Sequence, residues 1–226
     1  MVHELAPLSD RLGLVARSDE PDALHDAVVD GVEMVAIMSG IGMRAAARAT
    51  RRLLDDGVAH VVVVGIAGGI APHLDIGALV VPEVVIHGDT GRHHRPARLG
   101  GVEPAGAIRS SDEFLTDDAA LARLVAEGVV ALDMETAAVA QACEARGVPW
   151  SVFRAISDRP ADRLVDTAVW EMTTSDGRAD PDALARYLDS HPEAASRLAR
   201  MASDMELAVS VAAEAAIRAC GVSPRS

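Results

Sequence analysis

His60-Val61-Val62-Val63-Val64, running straight into Gly65-Ile66-Ala67-Gly68-Gly69, is the stretch that decides the fold class. Four β-branched residues in succession, with no polar alternation, describe a strand covered by helices on both faces. The flanks read the same way. Upstream, residues 33–38 (Glu-Met-Val-Ala-Ile-Met) form a strand that turns through Ser39-Gly40-Ile41-Gly42 into an Ala/Arg-rich helix ending near Asp56. Downstream come an apolar strand over 78–86 interrupted by Pro82, a helix over 117–127 and a strand over 129–132 entering Asp133-Met134-Glu135. A helix to about Arg146 and a strand over 148–156, stopping at Ser157-Asp158, follow. Helices over 2–11, 181–189 and 192–219 complete the pattern, and residues 88–108, rich in His, Arg, Gly and Pro, read as a mobile loop. Strand and helix alternate, so the expected fold is α/β: three αβα layers around a central, mainly parallel sheet, in one domain spanning 1–226. Chemistry in such sheets gathers at the carboxyl ends of the strands.

The composition narrows the function. At 226 residues the chain holds one medium domain, half of it apolar but only 2% aromatic, so Ala, Val, Leu and Ile must build the core. No apolar run is long enough to cross a bilayer and no basic-then-apolar leader opens the chain, which points to a cytoplasmic protein. The net charge of −13 argues against a nucleic-acid backbone or an anionic membrane as partner. All 21 basic residues are arginine, which excludes a Walker lysine, a Schiff-base lysine and a kinase-type ATP lysine. Cys143 and Cys220 have no metal-ligand spacing and read as small apolar residues on helices, without a disulfide.

Four strand ends carry candidate chemistry. Gly40-Ile41-Gly42-Met43-Arg44-Ala45 matches the dinucleotide fingerprint, but the next strand ends in glycines where the ribose-binding acid should stand, so a NAD-dependent oxidoreductase is disfavoured. The turn instead brings backbone N–H groups to a ligand, or is simply a turn. The cluster at Gly65, Ile66, Ala67, Gly68 and Gly69 lets main chain approach a flat ligand, or lets the strand pack closely on a helix. In Asp133-Met134-Glu135 the two carboxylates should point to different sides, Asp133 capping the following helix and Glu135 facing a pocket, where a carboxylate accepts hydrogen bonds from vicinal hydroxyls. Asp158, at the end of a buried apolar strand, should have its pKa raised by desolvation and donate a proton at neutral pH.

Taken together, these segments resemble the purine nucleoside phosphorylase/nucleosidase superfamily, and within it the methylthioadenosine/S-adenosylhomocysteine nucleosidases. The resemblance covers most of 1–158 and rests on Ser-Gly-Ile-Gly at 39–42, Gly-Ile-Ala-Gly-Gly at 65–69, Asp75-Ile76-Gly77, Asp-Met-Glu at 133–135 and Arg-Ala-Ile-Ser-Asp at 154–158. The tail from Arg159 through Asp176-Gly177 to the last helix looks more like the hopanoid-associated phosphorylases, thought to act on adenosylhopane. The resemblance implies cleavage of an N-glycosidic bond, without metal or organic cofactor, in a homo-oligomer with a dimer favoured. It makes Asp158 the general acid at the purine, placed by Ser157. Glu135 becomes the ligand of the ribose hydroxyls, Met134 the floor under the sugar, Phe114 the purine stacker and Glu4 the base that activates water. Asp133, Ile66, Ala67 and Gly68 are carried as further substrate-site residues.

The departures carry expectations of their own. In the family a β-strand precedes the segment that begins here at Met1, so either the start lies upstream or this sheet is short of that strand. The region 88–110 is shorter than in the nucleosidases, and Ile66 replaces their serine. Hydrolysis is favoured over phosphorolysis, with Arg44, Arg48 or the arginines of 92–98 as the groups that would meet phosphate. His93, His94 or Arg95 is expected to reach a neighbour's pocket, and Val165, Ala168, Val169 and Trp170 either line an apolar 5′ pocket or dock the tail. The alternatives are a phosphate-dependent phosphorylase, on adenosylhopane for example, and a nucleoside-binding protein without turnover.

Overall fold

The computed structural model describes residues 2–20, 22–160 and 180–223. Val165, Ala168, Val169, Trp170 and the Asp176-Gly177 turn lie outside them. The central strand, β4 (Val61–Gly69), runs through the whole glycine cluster, and β10 (Trp150–Asp158) lies parallel to it, Trp150 beside Val61 and Ile156 beside Ala67. Around this pair a seven-stranded sheet is ordered β5-β10-β4-β9-β8-β6-β7, with β5 at Leu79–Val80, β6 at Val84–His87, β7 at His93–His94, β8 at Ala107–Ser110 and β9 at Val129–Asp133. Parallel ladders join β10 to β4, β8 to β9 and β6 to β8, while β5, β7 and the short β4–β9 contact are antiparallel. The sheet is therefore mixed, with its long ladders parallel, in keeping with the expected fold class.

The unbroken valine run is covered as its composition requires. Val61, Val63 and Ala67 pack with Ala137, Ala138 and Ala140 of helix α4 (Thr136–Arg146) and Ala46 and Leu54 of α2 (Met43–Asp55). On the other face Val62, Val64 and Ile66 meet Ala208, Ala212, Ala215 and Ala216 of the long C-terminal helix α6 (Ala194–Ala219). Alanine at these positions lets helix backbone approach the strands closely, which is how a chain so poor in aromatics fills its core. Phe153, fully buried on β10 against α6, and Trp150, buried at the start of the same strand, are the exceptions in size; burying such a side chain contributes about 2–3 kcal/mol. Helix α1 (Val2–Leu12) lies on α6, Arg11 donating to Ser210 Oγ at 2.9 Å and Glu214 at 2.8 Å. Asp117 caps α3 (Asp118–Ala126), and Asp180 with Pro181 at the first position opens α5 (Pro181–Ser190).

A three-stranded antiparallel sheet stands apart: β1 (Val15–Ala16), β2 (His25–Val29) and β3 (Val32–Ala36), the last two joined through Asp30 and Gly31. Two consecutive positive φ values, 51° and 80°, make this the tight hairpin turn that twisted strands prefer. Sequence reading found only β3 here, because β1 and β2 are short and their exposed valines carry no periodic signal. Among the described residues no strand lies along the second edge of β4 from Val61 to Ala67, and β3 pairs with β2 alone. Since Val61 N–H donates toward the β10 side, to Pro149 O at 3.0 Å, strand alternation turns the main-chain groups of Val62, Val64 and Ile66 the other way. A cavity of about 1650 Å³ is lined by both edges.

The segment 88–108 departs from its reading as a mobile loop. It returns as β7 along β6 and leads into β8, and Ala97 N–H donates to Trp150 O at 2.7 Å. His94 is buried with Nδ1 at 2.9 Å from Glu144, so it faces its own core and not a neighbour's pocket, while His93 and Arg95 are exposed. Histidine and arginine content alone did not reveal that Glu144 of α4 draws this strand in. Both cysteines are free, Cys143 buried on α4 and Cys220 half-buried at the end of α6.

Candidate active site

β10 carries an arginine in a strand otherwise built of apolar and small residues, and that charge organises the site. Arg154 is 3% exposed. Its Nη2 lies 2.8 Å from Asp133 Oδ2 and 3.0 Å from Glu135 Oε2, and Nη1 is 3.9 Å from Glu4 Oε1. Burial works against the guanidinium charge, but the fields of Asp133, Glu135 and Glu4 overcome it and hold its pKa above the ordinary value. Asp133 and Glu135 thus converge on one cation instead of pointing to different sides. The strand ends at Asp133 and the backbone turns at Glu135 (φ −132°, ψ −39°) before α4 begins, which breaks the alternation the sequence reading assumed.

The two acids are nevertheless held differently. Asp133 accepts from Ser110 Oγ and Thr136 Oγ1 and from Thr136 N–H at 3.3 Å, so it caps α4 while pairing with Arg154. Glu135 is held by Arg154 and by Gly42 N–H at 3.1 Å, donated from the turn that follows β3. Burial raises the Glu135 pKa, nearby Asp133 and Glu4 add to the rise, and Arg154 with the Gly42 N–H opposes it. The Ser-Gly-Ile-Gly turn therefore supplies a backbone donor to a carboxylate of the site.

Glu4 comes from α1. Its Oε1 accepts from Ile66 N–H at 3.1 Å, one of the main-chain groups on the open edge of β4. Gly65 makes the approach possible: a Cβ there would collide with Glu4 Oε1 and stand 2.7 Å from Arg154 Nη1. At the end of β10, Ser157 Oγ donates to Asp158 Oδ1 at 2.7 Å, and a Cβ on Gly68 would lie 3.3 Å from Asp158 Oδ2. Asp158 is half-buried, less enclosed than the apolar strand before it suggested.

All of Glu4, Ile66, Ala67, Gly68, Phe114, Asp133, Met134, Glu135, Ser157 and Asp158 line the same cavity, with Phe114 at its rim and 41% exposed. Arg154 lines it too, and it is the functional side chain that sequence reasoning passed over; its signal was a charge inside a strand that has to be buried, which demands counter-charges nearby. Arg44, Arg48 and the arginines of 92–98 are not among the residues that line it. Among the described residues the arginines that do, Arg17, Arg154 and Arg159, are each paired: Arg17 with Asp26 and Asp56, Arg159 with Asp75 at 3.4 Å. Among the described residues carboxylates outnumber arginines nine to three around the cavity. Such a surface favours a ligand that becomes cationic as it reacts.

Comparison with known proteins gives a consistent picture. The profile of the phosphorylase superfamily matches residues 22–109 and 97–206. A 5′-methylthioadenosine/S-adenosylhomocysteine nucleosidase from Geobacillus kaustophilus is 32% identical over 161 residues, 58% of this chain and 68% of that protein. The nucleosidase of the same name from Chromohalobacter salexigens is 32% identical over 190 residues, 70% of this chain and 81% of that one. Among solved structures, the Neisseria meningitidis nucleosidase in complex with methylthio-immucillin-A superposes with a TM-score of 0.71 at 21% identity, covering 96% of this chain and 94% of that one. A futalosine hydrolase mutant from Helicobacter pylori gives 0.61 at 23% identity, covering 69% and 85%.

Proposed function

The chain belongs to the phosphorylase superfamily, and from that premise we propose that it is a nucleosidase that hydrolyses the N-glycosidic bond of a purine nucleoside, with methylthioadenosine and S-adenosylhomocysteine as first candidates. The observation that carries the reading is the convergence of Glu4, Asp133 and Glu135 on buried Arg154 in the cavity that also holds Asp158. Departure of the purine leaves positive charge on the sugar, and a fixed carboxylate beside the ribose hydroxyls binds that cation more strongly than the neutral substrate. Glu135, oriented by Arg154 and Gly42 N–H, is suited to this task. Asp158, with Ser157 fixing one of its oxygens, protonates the leaving base from the opposite end of the site. Glu4, tied to Ile66 N–H and close to Arg154, takes the proton of the attacking water.

Water is favoured over phosphate on electrostatic grounds. Among the described residues each arginine around the cavity already faces a carboxylate, so the described part of the site is acidic and does not favour a phosphate dianion. The relatives named as nucleosidases support the same choice. The test is chromatographic detection of free purine from methylthioadenosine, S-adenosylhomocysteine, adenosine, inosine and futalosine, each with and without phosphate. Release without phosphate is the expected result. Release that strictly requires phosphate would make the chain a phosphorylase and remove the role given to Glu4.

A further inference from the structure

Two segments face each other across the mouth of the cavity, and one side chain joins them. The first is the turn 39–42, whose Gly42 N–H holds Glu135 on the sugar side. The second is the loop 111–117, which carries Phe114 on the purine side. Asp112 belongs to the loop, yet its Oδ1 accepts from Met43 N–H at 2.7 Å, the first residue of α2. The fit is close: a Cβ on Gly42 would stand 2.9 Å from the same Oδ1, and Gly42 has a φ of 92°, so glycine is required there twice over. Asp112 does not line the cavity, so it touches the turn and not the ligand. Below it the loop is anchored by Ser111 N–H to Asp133 O at 3.0 Å, and beyond it Asp117 caps α3. Glu113, Phe114, Leu115 and Thr116, which span the cavity mouth between these anchors, have no regular structure.

We infer that Asp112 is a positioning residue: its carboxylate latches the purine-side loop to the sugar-side turn, so that Phe114 and Glu135 are held in one frame and bind the two halves of the nucleoside together. The bond is a helix cap supplied from a distant segment. Capping bonds of this type are worth about 5-fold in an equilibrium. A cap that served α2 alone would stabilise the helix without concern for the loop. A latch transmits the loss to both sides.

The inference rests on the nucleosidase reading for its kinetic arm and is independent of it for its structural arm. In the full chain, Asp112→Ala should speed amide hydrogen exchange in peptides covering 40–47 and 112–117 together, and raise KM for a cleaved nucleoside by about 5-fold with kcat little changed. Asp112→Asn keeps an acceptor oxygen and should restore most of both. Faster exchange confined to 40–47, with KM unchanged, would make Asp112 an ordinary cap and overturn the latch. If the wild-type protein cleaves none of the nucleosides, the functional reading fails while the exchange data still decide the latch.

Discussion

Arg154→Met replaces the buried guanidinium by an apolar side chain of similar reach and leaves Asp133, Glu135 and Glu4 facing one another. Removing one partner of a buried ion pair destabilises by about 3–5 kcal/mol, because the remaining charges lose their compensation. For a chain of this size each kcal/mol moves the melting temperature by roughly 2–4 °C, so a fall of about 6–20 °C is expected at pH 7. The pH dependence identifies the cause. Without Arg154 the folded-state pKa of Glu135, already raised by burial, climbs further above its unfolded value. The folded state then binds more protons than the unfolded one, so the variant loses stability as pH rises through that folded pKa and regains it as pH falls below. Melting curves of both proteins from pH 7.5 down to pH 5 should therefore converge. A fall of less than about 2 °C at pH 7, or a deficit of constant size across the range, would refute the claim that one cation holds the site's carboxylates together.

Other substitutions test the roles separately. Asp158→Asn removes a proton donor and little volume at a half-buried position, so kcat should fall by about 10²–10⁴ with the melting temperature nearly unchanged; activity close to wild type in a purine-release assay would remove Asp158 from the chemistry. Glu135→Gln should lower kcat more than it raises KM, as expected for a contact that strengthens with developing charge. Because burial raises the Glu135 pKa, the acid limb of the wild-type pH–rate profile should lie above the ordinary glutamate range, and a limb at or below that range would contradict the assigned role. Gly65→Ala should cost about 1–3 kcal/mol by urea unfolding and impair turnover as well, since the new Cβ displaces Glu4 or Arg154; full activity would show that neither group needs its present place.

The fold was legible where burial dictates composition. The valine run of β4 and the apolar stretch of β10 admit no reading other than covered strands, and both were found. Their ends were placed short because glycines and an Asp look like punctuation, whereas here the strand continues so that Gly65 and Gly68 can admit side chains of the site. The small sheet was half missed, since β1 and β2 are short and its exposed Val15 and Val28 carry no periodic signal. The candidate site was legible as a set of strand ends but not as a network. No local pattern tells that Glu4 and Glu135, 131 positions apart in the chain, share Arg154. The one clue was energetic: an arginine in the middle of Trp150–Ile156 is too costly to bury unless acids surround it.

That cost explains why the arrangement bears on function and not only on stability. A core with apolar residues in place of Arg154 and all three of its carboxylates would avoid their desolvation, and replacing a whole buried ion network by apolar side chains is often neutral or stabilising. What an apolar residue cannot do is oppose the rise in the Glu135 pKa and fix its carboxylate in the cavity. Arg154 offsets the rise that burial imposes on Glu135, while Asp133, spent on capping α4 and on Arg154, offers the ligand little. The net effect is a carboxylate held rigidly, with its charge only partly neutralised, next to a second acid on α1 and a third at the end of β10. On the proposed nucleosidase reading, a field of this sign, fixed before the ligand arrives, costs no reorganisation when positive charge develops on the sugar.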